Sequence, residues 1–453
     1  MEHGRMTNCG ATRQTAGFVA TLDAQSLPQA VHHEVLRAFV NGVGCLVGGA
    51  GHEMTARAAT VLLPHAGQPT AFLLGQGVRT DLLTASLING LAGAAYSFDD
   101  TYGEAMLHPS GPVLAAILAL AEARTATGIA FLAAYAGALE ISCRLTRALT
   151  VAPAQPEMAW SQTGVVAGIG AALGCGRLLG LDAAGLETAI GIAASEAAGT
   201  RAAHGSMAAS LIFGRAAQSG LRAALLAEGG FTASPGMLEH ASGFAHVFAA
   251  AAHLPALTEG LGMRFELLGN TYKPYPCGVV IHPAIDAVLY LRNTHAIDEA
   301  DITRIVLQVS PRAMKLAFRP EPSTDIEAKV SLHHWVAVAA ARGRAGIAEG
   351  RPEVVADPVI AALRRKVEAS GADDLEPTQA RLMLELRDGR QLEHMVQACA
   401  GSAARPMTDE ELSEKCRQQA EMVIGARRAT ALTDLCWKLA SLADAADVAR
   451  AAS

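Results

Sequence analysis

The chain is expected to be mostly α-helical: a large all-helical domain plus a smaller inserted α+β domain, after which the chain returns to helix. Three observations carry that expectation. Of 453 residues, 51% are hydrophobic and only 4% aromatic, so the apolar content is mainly Ala, Leu, Val and Ile; alanine at this density favours closely packed helices. Up to about residue 260 apolar positions recur at helical spacing, and nearly every such stretch is apolar enough to be surrounded by others. Beyond Arg264 the pattern changes. ITRIVLQVS (302–310) is rich in β-branched residues with partial period-two alternation, and 380–386 and 391–396 flank Asp388-Gly389, a strong short hairpin signal.

Taken in order, residues 1–25 look loose. Val31, Leu36, Phe39 and Val40 open a helical region running from 27 to about 63, split by the glycines of 48–51. Helices are expected over 82–96, 112–123, 128–149 and 164–179, with a proline-bearing loop at 150–156. Asp182 caps the next helix, and 206–228 forms another, carrying Arg215 and Arg222. In the second region 302–310 is a strand, while 281–291, 330–341 and 357–366 read as helices; strands mixed with helices point to an α+β domain. After Arg405-Pro406 the chain becomes helical again. The domain boundaries on this reading are 1–262, 263–404 and 405–453.

Formal net charge is −7 and the isoelectric point about 6.1, with no basic excess to attract nucleic acid. Mean hydropathy is +0.25, but the apolar stretch 163–176 is glycine-rich and ends at Arg177, short of the roughly 20 residues of a spanning helix. The N-terminal MEHGRMTNCG has no apolar signal core. Eight cysteines lie scattered without a C-x-x-C pair, which suits reduced thiols and argues against a disulfide frame, a zinc site or an iron–sulfur centre. No metal site and no cofactor are expected. These features describe a soluble cytoplasmic protein with no membrane and no nucleic-acid partner.

Against this background residues 97–112, SFDDTYGEAMLHPSGP, stand out. Asp99, Asp100, Thr101, Tyr102, Glu104 and His108 form a polar island between two greasy helices, and burying such groups is costly unless they pair or do chemistry. The Pro-Ser-Gly-Pro run stops regular structure after His108 and restarts a helix. The bland alternative is that Asp99 and Asp100 cap that helix and His108 is an ordinary loop histidine. A second stretch, YKPYPCGVVIHPAID (272–286), sets Lys273 before a Pro-Tyr-Pro turn and His282 before another proline.

Phe98–Thr101 (FDDT), His108–Gly111 (HPSG) and Lys273–Pro276 (KPYP) occur in the order and spacing of the MmgE/PrpD family. That family includes 2-methylcitrate dehydratase and cis-aconitate decarboxylase, and the chain resembles it from about Val31 to the MTDEELSEK segment at 407–415. The resemblance implies a helical domain built from both chain ends, an inserted α/β domain, an active site in the cleft between them, no cofactor, and a homodimer. It implies that Asp99, Thr101, His108 and Lys273 lie at active-site positions.

The chemistry agrees with those residue types. Removing water or carbon dioxide from a small organic acid needs a group that moves a proton near neutral pH, which suits His108. It needs a cation for the substrate carboxylate and the developing enolate, which suits Lys273. Asp99 or Asp100 would orient the histidine. Tyr275 and Cys277 flank the Lys273 turn, and Thr101 and Tyr102 flank the aspartates; these four are candidate substrate contacts, with turn packing the alternative for Tyr275 and Cys277.

The chain also departs from the family pattern. Where members often read GWHPTG it has AWSQTG, with Ser161 in place of histidine. Where they read like GSMTKRLHAGRAAQSG it has GSMAASLIFGRAAQSG, so lysine becomes Ala209 and histidine becomes Ile212. Ser97 replaces the first aspartate of DFDDT. Ser161, Ala209 and Ile212 are therefore expected to line a pocket with less positive charge, suited to a small organic acid less charged than cis-aconitate or 2-methylcitrate. A cofactor-independent dehydratase- or decarboxylase-type lyase is the first expectation. An isomerase, epimerase or cyclase working through an enolate, or a non-catalytic binding protein, is the alternative.

Overall fold

The computed structural model describes residues 10–157 and 159–453, and it is mostly α-helical. The chain divides into two compact units, one formed by residues up to 95 with 99–270 and 408–453, the other by 96–98 with 271–407. The first unit contains α1 (Ala11–Thr21), α2 (Gln29–Gly48), α3 (Glu53–Leu62), α4 (Leu82–Gly93), α5 (Ser110–Ala123), α6 (Gly128–Thr150), α7 (Gln162–Leu178), α8 (Ala183–Ser195) and α9 (Met207–Glu228). Helix α1 corrects the expectation of a loose N-terminal segment: Ala11, Thr12, Thr15, Ala16 and Val19 form a buried stripe at helical spacing. Residues 1–9, with Cys9, lie outside the described residues; the other seven cysteines are free and buried.

Helices α5 and α7 form the centre of this unit. Every residue from Ser110 to Ala121 and from Gln162 to Gly176 is buried, as helices apolar on all sides must be. Among the described residues, helix α6, rather than 163–176, is the stretch long and apolar enough to cross a membrane by length and composition, yet 89% of its most apolar window is buried inside the fold. Helix α9 lies hard against α4: a Cβ on Gly214 would come within 2.2 Å of the Leu87 carbonyl oxygen. The region is not wholly helical. Two short strands, β1 (Ala71–Leu73) and β2 (Val78–Thr80), pair as an antiparallel hairpin, and the loop containing residues 155–156 pairs with 249–251.

A buried ion pair inside α6 fixes the segment that leads to the site. Arg144, with no exposed surface, donates to Glu140 Oε1 at 2.6 Å and to the carbonyls of Glu259 at 2.9 Å and Arg264 at 2.6 Å. Glu140 Oε2 in turn accepts from the Leu267 N–H at 3.0 Å. The pair thus satisfies otherwise orphaned backbone groups and holds residues 259–267 in place just before Asn270.

In the second unit a four-stranded sheet has β3 (Ile302–Val309), β4 (Val367–Gly371), β5 (Ala380–Leu386) and β6 (Gln391–Val396) in the order β6-β5-β3-β4. The Asp-Gly hairpin joins β5 to β6 with Leu384 opposite Leu392, and β3 pairs antiparallel with β5. Strand β4 was not foreseen; it runs parallel to β3, with Ile305 beside Val367. Ile305, Leu307, Val309, Leu382 and Leu384 share one core with α10 (His282–His295) and α11 (Leu332–Arg342). The chain then returns to the first unit as α12 (Asp409–Ile424), opened by a reciprocal Thr408–Glu411 capping box, and α13 (Ala426–Trp437).

Candidate active site

In the first unit the acidic stretch folds back on itself ahead of α5. The Tyr102 N–H donates to the Leu107 carbonyl at 2.8 Å, and Met106 takes a left-handed φ of 56° to close the turn. This puts residues 99–101 beside His108, two residues before the start of α5. His108 Nδ1 lies 2.8 Å from the Asp100 carbonyl oxygen, 3.2 Å from Thr101 Oγ1 and 3.2 Å from Asp99 Oδ2. A carbonyl oxygen only accepts, so the shortest contact assigns the ring proton to Nδ1 and makes Nε2 the basic nitrogen. The His108 backbone N–H donates to Thr163 Oγ1 at 3.0 Å, tying the histidine to the first turn of α7.

The two aspartates do different things. Asp99 directs its carboxylate at the imidazole; the Asp100 carboxylate points the other way and accepts from Asn270 Nδ2 at 2.6 Å, from Ser110 Oγ and from the Ser110 N–H at 3.3 Å. Asp100 therefore serves the N-terminus of α5, while its backbone carbonyl serves His108. Complete burial pushes the Asp100 carboxyl up to about 6; the Ser110 and Asn270 donors oppose the rise and neighbouring Asp99 adds to it. Cys45, fully buried, is pushed up to about 12 mainly by that burial, so it supplies no thiolate.

Tyr102, expected as a substrate contact, is engaged within the first unit. It is buried, and its hydroxyl donates to Glu266 at 2.8 Å and lies 3.1 Å from Glu104, in an acidic cluster completed by Arg147.

In the second unit, Lys273 is buried and its Nζ donates to the Ser97 carbonyl at 3.1 Å. Ser97 holds a left-handed φ of 52°, a conformation that costs a residue with a side chain roughly 1–3 kcal/mol. Tyr275 donates its hydroxyl to Asp286 at 2.5 Å and packs edge-on against His282, while Cys277 has no exposed surface and belongs to the core. These are contacts of the kind that pack a turn, and His282 is likewise buried.

The MmgE/PrpD N-terminal domain model matches residues 13–255, and the MmgE/PrpD C-terminal domain model matches 275–439. The chain belongs to the MmgE/PrpD family. Its relatives include the cis-aconitate decarboxylase of Mus musculus, 25% identical over 97% of this chain and 92% of the relative, and that of Aspergillus terreus, 25% identical over 96% and 94%. The human enzyme of the same name is 26% identical over 80% of this chain and 77% of its own length.

The positions where this MmgE/PrpD chain departs from the family pattern have distinct fates. Ser161 caps α7, its Oγ accepting from the Gly164 N–H at 3.3 Å. Ile212 does not line an open wall; it is buried against Gly164 and Gly199, where added Cβ atoms would fall 2.6 and 2.9 Å from its Cγ2. Ala209 is half-buried. The side chain of α9 that reaches the histidine is Phe213, with ring centroids 5.8 Å apart and a tilt of 35°. Phe213, Thr163, Ser110 and Asn270 were not foreseen from the sequence. Thr163 and Ser110 stand inside AWSQTG and HPSG, so a closer reading of those motifs would have found them; Asn270 and Phe213 carry no local signal.

Proposed function

We propose that this MmgE/PrpD-type lyase eliminates water or carbon dioxide from a small organic acid with fewer carboxylates than cis-aconitate, without a cofactor. The observation that carries this is the His108 cluster. With its proton held on Nδ1 by the Asp100 carbonyl, His108 can take or return a proton at Nε2, and the Asp99 carboxylate stabilises the imidazolium formed. Thr101 Oγ1 and the Thr163 bond fix the ring and its backbone. Lys273 is assigned the substrate carboxylate and the enolate-like charge that develops beside it, on the strength of the KPYP resemblance.

The preference for a less charged acid rests on the family's lysine being Ala209 here and the histidine of GWHPTG being Ser161. Each lost charged hydrogen bond removes about 1.5–3 kcal/mol of hold on a tricarboxylate. Cytoplasmic location and a homodimeric state accompany the proposal on composition and resemblance. The test incubates purified protein with cis-aconitate, 2-methylcitrate and a panel of less charged unsaturated and hydroxy acids, followed by mass spectrometry. The expected result is loss of water or carbon dioxide from a less charged acid, abolished by His108→Ala. Full turnover in His108→Ala, or efficient turnover of the tricarboxylates, would overturn the reading; an unchanged product mass would replace it with an isomerase.

A further inference from the structure

We propose that Phe213 is a specificity-determining residue, and that the site takes an acid bearing an aryl or bulky branched group next to the carbon whose proton His108 moves. The inference rests on His108 being the acid/base of the site and adds the substrate class. Three observations on α9 carry it. The Phe213 ring centroid sits 5.8 Å from that of the imidazole and the residue is only half-buried, so it contributes an apolar face beside the His108 ring. One turn earlier on the same face stands Ala209, which offers a methyl group and no charge. The two basic residues of the helix are engaged elsewhere: Arg215 donates to the carbonyls of Glu196, Gly164 and Ala198, each at 2.7 Å, and Arg222 pairs with Glu196 at 2.7 Å.

The backbone of α9 is fixed at this position. On one side of Phe213, Gly214 has its Cα so close to α4 that even a methyl group would strike the Leu87 carbonyl, and on the other side Ile212 is wedged between Gly164 and Gly199. The Phe213 Cα is thus fixed by packing that its own side chain does not provide, and from there its ring meets His108. An aromatic ring so placed favours a second ring or a branched alkyl group in offset or edge contact and offers nothing to a carboxylate.

The test uses full-length protein and two dicarboxylates of equal charge, succinate and 2-benzylsuccinate, titrated calorimetrically into wild type, Phe213→Ala, Phe213→Leu and the control Leu211→Ala on the exposed side of α9. Wild type is expected to bind 2-benzylsuccinate about tenfold or more tighter than succinate, the scale of discrimination an apolar pocket delivers. Phe213→Ala should bring the ratio close to one with succinate binding unchanged, Phe213→Leu should fall between, and Leu211→Ala should match wild type. A wild-type ratio near one, or a ratio kept by Phe213→Ala with an unchanged unfolding temperature, would overturn the assignment. His108→Asn separates this from the catalytic reading. Its loss of turnover with the binding ratio intact supports both. Retained turnover with the ratio intact overturns only the role of His108, and His108-dependent turnover with no ratio overturns only that of Phe213.

Discussion

Replacing Asp100 by asparagine separates a structural carboxylate from a catalytic one. Asp100 is completely buried, and its carboxyl rises from 3.8 to about 6, chiefly because burial penalises the charged form. A rise of that size corresponds to about 3 kcal/mol of folding free energy. The sign follows from linkage: the acid binds its proton more tightly in the folded chain, so its cost is absent below pH 3.8, grows between 3.8 and about 6, and is complete above. Asp100→Asn removes this cost. Its amide oxygen can still accept from Asn270 and Ser110 Oγ, but its NH2 group then faces the Ser110 N–H, whose 3.3 Å bond to Asp100 Oδ1 is the longest of the set. Losing that acceptor costs about 1–2 kcal/mol.

The variant should therefore be about 1 kcal/mol less stable than wild type near pH 4 and about 1–2 kcal/mol more stable near pH 8. Urea unfolding followed by circular dichroism, with both proteins compared at each pH, reads the difference directly, because contributions shared by both proteins cancel. The kcat of Asp100→Asn should remain within a few-fold of wild type, since Asp100 meets His108 through its main-chain carbonyl. A stability difference that does not change with pH would refute the account of a desolvated carboxylate, and a large loss of kcat with normal stability would make Asp100 a participant in proton transfer.

Asp99→Asn removes the charge 3.2 Å from His108 Nδ1 and should lower kcat by about 10²-fold or more with little change in KM, measured on whichever acid the wild type turns over. Arg144→Met leaves Glu140 buried without its partner and frees the carbonyls of residues 259–264; a loss of about 3–5 kcal/mol in urea unfolding is expected, with part of it recovered in Glu140→Gln/Arg144→Met. Gly128→Ala puts the better helix former in the first turn of α6, but the new Cβ would lie 1.7 Å from the Leu439 carbonyl oxygen. The variant should melt below wild type; a higher melting temperature would show that the C-terminal segment does not pack there.

The helices were legible because their boundaries are written locally: Asp182 accepts from the Gly185 N–H as a cap, and the glycines at 48–51 divide α2 from α3. The Asp-Gly hairpin was legible for the same reason. Elements whose cause lies elsewhere in the chain were not. Strand β4 reads VEASG, with one strong apolar residue, and exists because β3 offers it a parallel partner 62 residues away, Ile305 beside Val367. The β1–β2 hairpin consists of strands of three residues, too short to show alternation.

The site divides along the same line. Composition marked residues 97–112 as unusual, but it could not tell Asp99 from Asp100, because adjacent side chains in an extended segment point to opposite faces and spacing alone does not say which face holds the histidine. The structure resolves it through the turn at Met106, which brings His108 back to the Asp99 side and leaves Asp100 with Ser110 and Asn270. The LIF run at 211–213 posed the same problem on a helix. Consecutive helical residues lie about 100° apart, so one apolar residue of the three is exposed, one is buried against glycines and one meets the imidazole. Motif comparison drew attention to Ile212, because a histidine was missing there. The phase of α9, set by the close approach of Gly214 to α4, brings the neighbouring phenylalanine to the histidine instead.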